Sequence, residues 1–210
     1  MERFIVASLL LLASAAAVEA RMVPGAAAVV DTPRNTSGAR VLIGEDACQR
    51  TCNQVRFKAV CRGLTKAPGV STPQQLLLAS IRAASEKAAD ARAKVEAYAA
   101  RTHPTGPMVS ILDDCRKGYD DAVQSLEEAR QVAEAQGARD QSLNRKASDA
   151  LTSTGDCDNG FEDFPDVPSP FAAMQKSVFR HVDSVLGIAV AIQEAEAAHP
   201  AAAVRAPHLH

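Results

Sequence analysis

Cysteines are the residues of this sequence whose type and spacing most directly imply chemistry. The sequence contains five of them, at Cys48, Cys52, Cys61, Cys115 and Cys157. Cysteine thiols form disulfides, bind soft metal ions or act as nucleophiles. No Cys-x-x-Cys pair occurs, and no histidine stands at a zinc-ligand spacing from these cysteines. We therefore predict disulfides, with no metal site and no cofactor.

Acidic pairs are the next candidates, because general acid–base catalysis uses two carboxyl groups held in different environments. Adjacent acidic residues occur at Asp113/Asp114, Asp120/Asp121 and Glu127/Glu128. Neighbouring residues on a helix point about 100° apart, so such pairs are typical of solvated faces. None of the histidines belongs to a nucleophile motif. We predict no catalytic residue and a protein that is not an enzyme.

Further charged residues recur along two segments that have helical periodicity. They are Glu86, Asp90, Lys94, Glu127, Glu128 and Arg130. We interpret them as solvated surface, because only a minority of interface residues carry binding energy. The alternative is that they form the polar face that meets a binding partner.

The amino terminus has the layout of a secretory signal peptide. Arg3 is followed by an apolar run that begins at Ile5 and ends in Val18-Glu19-Ala20, which suits cleavage after Ala20. The run is shorter than the ~20 apolar residues that a transmembrane helix needs. We predict a signal peptide at residues 1–20, a secreted protein and no membrane partner. The thiols would then meet an oxidising environment.

Two further segments are predicted to lie outside the folded domain. Residues 21–44 mix proline and glycine with an alanine–valine run, which predicts a flexible linker. Within it, Asn35 begins an N-glycosylation acceptor triplet, and the alternative is a chance match that is not used. Residues 196–210 are predicted to form a flexible C-terminal tail. The domain is expected at residues 45–195, with a hairpin at 45–70 and a bundle at 72–195.

Composition and charge restrict both the fold and the partners. The formal net charge is −2, and lysines and arginines are scattered among acids of similar number, which excludes the basic footprint of a nucleic-acid-binding protein. Tryptophan is absent and aromatic residues make up only 4% of the chain. The core is therefore predicted to consist of closely approaching helices with small contact residues, which favours an all-α fold.

Four apolar stripes with alternating steps of four and three residues predict four long amphipathic helices. The first stripe contains Leu77, Ile81, Ala84, Ala88, Ala91, Val95 and Tyr98. The second contains Met108, Leu112, Cys115, Tyr119, Ala122, Leu126, Ala129 and Ala133. The third contains Leu143, Ala147, Ala150, Thr154 and Cys157, and the fourth contains Phe171, Met174, Val178, Val182, Val185, Ala189 and Ile192. Short connections between such helices favour an antiparallel four-helix bundle.

The stripes also position the cysteines. Cys115 lies in the second stripe and Cys157 closes the third, so the two can face one another. Cys52 and Cys61 enclose eight residues, a separation that suits a small helical hairpin closed on itself. Cys48 is left over. We interpret it as a bystander thiol outside the two pairs, and the alternatives are an intermolecular bridge or a partnership with Cys61.

Three motifs occur in order along the chain. The first is Cys52-x8-Cys61, with Phe57 between the cysteines and Leu64 after them. The second is Leu112-Asp113-Asp114-Cys115 followed by Tyr119-Asp120-Asp121-Ala122-Val123 and Leu126. The third is Ala150-Leu151-Thr152 followed by Cys157-Asp158-Asn159-Gly160-Phe161. With these motifs the chain resembles the plant invertase/pectin methylesterase inhibitor family over about residues 42–193.

The resemblance implies both a fold and a function. The implied fold is a four-helix bundle preceded by an N-terminal helical hairpin, with one disulfide in the hairpin and one between the second and third bundle helices. The implied function is stoichiometric, reversible inhibition of a plant carbohydrate enzyme, either pectin methylesterase or acid invertase, in the apoplast, the cell wall or the vacuole. The alternative function is that of a non-inhibitory secreted helical bundle, a signalling or structural binding protein.

Overall fold

The structure is a computed structural model that describes residues 37–198, with side chains described from Asp46 onwards. Its helices are α1 (Ser37–Gln54), α2 (Lys58–Leu64), α3 (Pro73–Thr102), α4 (Pro107–Gln136), α5 (Gln141–Glu162) and α6 (Ala172–Ala198). A single 3₁₀ turn, Gly137–Arg139, joins α4 to α5, and this described range contains no strand. The predicted all-α fold is therefore confirmed.

The segments predicted to flank the domain are described by the structure only in part. Helix α1 begins at Ser37, so the last eight residues of the range predicted as linker are helical. Extending an existing helix adds a hydrogen bond per residue without a new nucleation cost, which accounts for the longer helix. The predicted signal peptide, the rest of the linker with Asn35, and residues 199–210 lie outside the described residues. The domain boundaries stay predictions.

Helix α3 begins and ends at residues whose chemistry suits those positions. The Thr72 hydroxyl accepts a hydrogen bond from the Gln75 amide, and the Gln75 side chain accepts one from the Thr72 amide. This reciprocal capping box satisfies two donors that a helix leaves open, and Pro73 occupies the first helical position. The helix ends at Thr102, followed by His103 with a left-handed φ of 45°, and Gly106 with φ of 60° completes the reversal into α4.

The four long helices form an antiparallel bundle with one core. Each of α3, α4, α5 and α6 packs against the next, and α6 packs back against α3, which closes the ring. The predicted stripes face this core: nearly all of their residues are buried, and only Tyr98, Met108 and Met174 at the stripe ends are half-buried. Burial of such stripes supplies most of the helical stability, because short isolated helices are marginal in water.

Helices α1 and α2 form a hairpin that packs on α6 and α3. A disulfide between Cys52 and Cys61 joins them, with the two Cα atoms 5.4 Å apart. Val55 at the turn of the hairpin is only 3% exposed and lies against Gly187 of α6. A Cβ atom at Gly187 would come within 3.3 Å of the Val55 side chain, so glycine allows this close approach.

Helices α4 and α5 approach one another most closely along a line that we call the α4–α5 seam, defined by Cys115, Gly118, Cys157 and Gly160. Cys115 and Cys157 form a disulfide with Cα atoms 4.1 Å apart. A Cβ atom added at Gly118 would overlap the backbone carbonyl oxygen of Ser153, and one at Gly160 would lie 3.4 Å from Ile111. Only small residues fit here, in agreement with the predicted core of closely approaching helices.

We expect Gly118→Ala to destabilise the protein by about 2 kcal/mol, because the added methyl group forces α4 away from α5 in a closely packed core. Gly155→Ala is the matched control, since Gly155 is also a helical glycine, in α5, but has no atom within 4 Å of an added Cβ. It should raise stability by up to about 1 kcal/mol through helix propensity. Urea unfolding measures both values, and equal effects of the two substitutions would contradict the seam.

The two disulfides are expected to differ in their contribution to stability. Loop-closure entropy predicts about 4 kcal/mol for Cys115–Cys157, which are 42 residues apart, and about 2.5 kcal/mol for Cys52–Cys61, which are 9 apart. Double alanine variants of each pair, compared by urea unfolding, test this order.

Peptide mapping without reduction should recover Cys115 linked to Cys157, and any other partner for Cys115 would refute the pairing.

Candidate functional site

At least one carboxylate of each adjacent acidic pair is held by a cation in the structure. Asp113 accepts hydrogen bonds from Lys117 and then Arg116, which lower the pKa of its carboxyl group. Glu128 is 2.5 Å from Lys146 of α5, and this contact lowers the pKa of Glu128. A general acid needs the opposite environment, in which burial keeps the carboxyl group protonated near neutral pH. The carboxylates that contact these cations are therefore arranged as surface ion pairs.

One cleft between α4 and α5 collects carboxylates with fewer cations. It is lined by Asp114, Lys117, Asp121, Asp156, Asn159, Gly160 and Asp163. Partial burial, followed by the nearby charges of Asp121 and Asp114, raises the pKa of Asp156. Across residues 46–198, no three His, Cys, Asp or Glu side chains come together in a geometry that could hold a metal ion. The cleft is an acidic surface feature.

The charged residues of α3 and α4 do not form one continuous face. Glu86 shares a groove with Glu127 and Arg130, whose charges pair across 2.6 Å. Glu128, the neighbour of Glu127, points instead to Lys146 of α5. On α3, Asp90 and Lys94 pair with each other at 2.6 Å. The fold therefore separates residues that the sequence analysis grouped together.

A second set of charges joins α3 to α4. Arg92 of α3 lies 2.5 Å from Asp120 of α4, and Asp120 also lies 3.5 Å from Arg116. Arg116 in turn contacts Asp113 at 2.8 Å, and the network continues to Lys117. Exposed pairs of this kind contribute little individually, typically ~0–1 kcal/mol, but a network keeps its side chains ordered. The network forms a polar border beside the end of the bundle at which α4 begins.

That end of the bundle exposes two large apolar side chains. Among the described residues, the exposed large hydrophobic side chains are Val109 at 52% and Phe164 at 39%. Val109 is in the first turn of α4 and Phe164 follows α5. Because Gly160 near the end of α5 packs on Ile111 near the start of α4, both lie at the same end of the bundle. We call residues 103–110 and 163–171 the loop end.

The loop end has a base of packed aromatic rings and a groove beside it. Phe171 packs edge-on against Tyr98 and Phe161, with ring centroids 5.2 and 6.3 Å away. Such aromatic pairs stabilise one arrangement of the connections above them. The groove runs between α3 and α4 and is lined by Val95, Glu96, Ala99, Pro104, Gly106, Val109, Ser110, Leu112, Asp113 and Arg116. An apolar centre with a charged border is the anatomy of a protein-binding surface.

Val109 and Phe164 were not among the residues predicted from the sequence. Val109 lies next to the second apolar stripe, at Met108 and Leu112, without belonging to it, and Phe164 lies in a connection without periodicity. An apolar residue that is off the stripe is the pattern that could have revealed Val109. That both residues share one end depends on the antiparallel packing of α4 and α5, which is a tertiary property.

Cys48, the fifth cysteine, is in neither of the two disulfides. It is 1% exposed and belongs to the apolar core on the buried side of the hairpin, together with Cys52 and Val55. At this burial a second chain cannot reach its sulfur without opening the hairpin. The arrangement is that of a small apolar core residue, which is a common role for cysteine.

Comparisons with known proteins agree with this fold. A sequence model of the family described as plant invertase/pectin methylesterase inhibitor matches residues 46–192, more than half of the chain. Among solved structures, a mutant form of a pectin methylesterase inhibitor from Arabidopsis is similar with a TM-score of 0.57 and 17% identity, covering 66% of this chain and 92% of that one. No curated protein sequence matches the chain.

None of the helices in the described range has the length and apolar character needed to cross a membrane.

The contact between Glu127 and Arg130 should make the stability of the protein depend on pH. Hydrogen bonds from Arg130 and then Gln131 lower the pKa of Glu127 to about 2, from an ordinary value of 4.5. The folded state therefore binds this proton less readily than the unfolded state, and the stabilisation is present above about pH 4.5 and lost as the pH falls towards 2. Arg130→Gln should flatten this part of the profile of urea midpoint against pH.

The matched control is Lys66→Gln, which removes an exposed cation after α2 that has no ion pair in the described part of the chain. Its profile should run parallel to that of the unsubstituted protein between pH 4.5 and 2. If Arg130→Gln also ran parallel, the ion pair with Glu127 would contribute nothing to the stability.

Proposed function

Because the chain belongs to the plant invertase/pectin methylesterase inhibitor family, we propose that it is an inhibitor that binds and blocks a plant carbohydrate enzyme, either pectin methylesterase or acid invertase. The complex is stoichiometric and reversible. The observation that carries the proposal is the match over residues 46–192, which contains both disulfides and the whole four-helix bundle up to the last turns of α6. The Arabidopsis inhibitor supports the fold.

The loop end is the surface that we assign to the enzyme. It combines exposed Val109 and Phe164 with a groove and an ordered ionic border. Interface energy concentrates in a few apolar or aromatic anchors that are surrounded by polar residues, and this surface has that composition. Inhibition would follow from covering the enzyme's cleft, without a covalent step.

Secretion is part of the proposal. The leader at residues 1–20 would direct the chain to the secretory pathway, and Asn35 would be available there for glycosylation. Two disulfides suit an oxidising compartment, where they persist. The apoplast and the cell wall are the proposed location, where the target enzymes act, with the vacuole as the alternative for acid invertase.

The direct test is titration of each enzyme with the purified, disulfide-bonded chain at mildly acidic pH. The residual activity of either pectin methylesterase or acid invertase should fall to zero at one equivalent and return on dilution. Size-exclusion chromatography should show the one-to-one complex. Full activity of both enzymes in micromolar excess of the chain would refute inhibition and favour the non-inhibitory binding protein.

Val109→Asp tests the assigned surface. A charge in place of an apolar anchor should weaken inhibition by about tenfold or more. Asp in the first turn of α4 suits the helix dipole, so folding should be retained. Ala135→Asp is the matched control, because it adds the same charge to an exposed position at the other end of α4. Equal inhibition by the two variants would exclude the loop end.

A further inference from the structure

The hairpin carries a positive charge that the composition of the whole chain conceals. Between Asp46 and Glu86 the sequence has no aspartate or glutamate. Residues 47–70 contain five cations, which are Arg50, Arg56, Lys58, Arg62 and Lys66. The chain as a whole has a formal charge of −2, so its acids are concentrated elsewhere. The scatter of cations among acids that the sequence analysis assumed does not hold for this segment.

The fold places a part of this charge against a pair of aromatic rings on α6. Phe57 of the hairpin packs edge-on against Phe179, with ring centroids 6.1 Å apart. The guanidinium of Arg56 lies 5.1 Å from the Phe57 centroid and 5.8 Å from that of Phe179. The guanidinium of Arg180 lies 5.8 Å from the Phe57 centroid. We call Arg56, Phe57, Phe179 and Arg180 the guanidinium patch.

The two guanidinium groups of the patch are held in place but retain open donors. Cation–π contact with half-buried rings restrains each group and leaves the N–H fork available. Within the described residues the Arg180 guanidinium has no hydrogen bond or ion pair. Arg56, 68% exposed, has one carboxylate neighbour, Asp183, at 4.0 Å, which is beyond hydrogen-bond distance. Preorganised, unsatisfied forks of this kind suit a carboxylate ligand.

The charges around the patch are mostly positive. Lys58 begins α2 directly after Phe57, and Lys176 lies one helical turn before Arg180 on the same side of α6. The negative neighbours are Asp183, whose side chain is only 19% exposed, and Asp158 of α5, which interacts with Lys176. None of the four patch residues lines the groove at the loop end. The patch and the groove are therefore separate surface features.

We propose that the guanidinium patch binds a polyuronate, a polysaccharide whose repeating sugars carry free carboxylates. The forks of Arg56 and Arg180 would take carboxylates of the chain, and the other hairpin cations would attract the rest of it. The choice of a uronate polymer among polyanions rests on the proposed function, with pectin methylesterase as the target. That enzyme removes methyl esters from pectin and so converts neutral ester groups to carboxylates. The patch would then retain the inhibitor on polymer that the enzyme has already acted on.

The experiment measures binding of the purified chain by isothermal titration calorimetry at low ionic strength, with no enzyme present. The probes are polygalacturonate, the same polymer with most carboxyl groups methyl-esterified, and poly-L-glutamate. Polygalacturonate should bind at least about tenfold more tightly than the other two, because the ester lacks the charge and the polypeptide presents its carboxylates at a different spacing. Added salt should weaken the binding by screening.

The variants localise the site. Arg56→Gln combined with Arg180→Gln should weaken polygalacturonate binding about tenfold or more, as expected for two charge-assisted contacts. Arg101→Gln is the matched control, because Arg101 is also exposed and lies 5.8 Å from the centroid of an aromatic ring, that of Tyr98, but belongs to the end of α3. It should change the affinity less than about twofold. An unchanged thermal midpoint checks that each variant folds.

Several results would overturn the proposal. Equal binding of the esterified and unesterified polymers would remove the carboxylate requirement, and tighter binding of poly-L-glutamate would point to an acidic protein surface. Equal losses in the patch variant and in Arg101→Gln would exclude the patch. Inhibition of an enzyme without binding of polygalacturonate would refute this inference alone, whereas binding without inhibition would support it and refute the proposed inhibitory function.

Discussion

The close approach of α4 and α5 is the constraint on which the rest of the structure depends. At Gly118 the backbone of one helix meets a carbonyl group of the other, so no side chain can separate them, and Cys115–Cys157 locks the same register covalently. A fixed register brings the start of α4 beside the end of α5. The two connections at that end are thereby held together, and α3 and α6 pack on the pair through stripes rich in alanine and valine.

This arrangement suits a protein that works by presenting a surface. The aromatic cluster around Phe171 packs beneath the loop end, so Val109 and Phe164 of the proposed binding surface stand on a packed base. Preorganisation reduces the entropic cost of association. The carboxylates of the adjacent surface are kept ionised by arginine and lysine, an arrangement that serves recognition better than proton transfer.

Charge is distributed unevenly over the fold, and the hairpin is the clearest instance. Its cations are sequence neighbours, yet only the packing of the hairpin on α6 brings Arg56 close to Phe179 and Arg180 close to Phe57. The disulfide Cys52–Cys61 and the contact of Val55 with Gly187 hold this arrangement. A net charge of −2 therefore says little about the local field, because fields near a surface depend on where the charges lie.

The sequence by itself determined the elements and their buried faces, because apolar residues in steps of four and three can only be buried together on a helix. It also placed Cys115 and Cys157 on core-facing stripes, and the motifs around them indicated the family. Which surfaces are exposed was decided only by the tertiary structure. Val109 and Phe164 are 55 residues apart in the chain, and Phe57 and Phe179 are still farther apart. No local pattern links such residues, since their proximity arises from the antiparallel packing of whole helices and from the docking of the hairpin on α6.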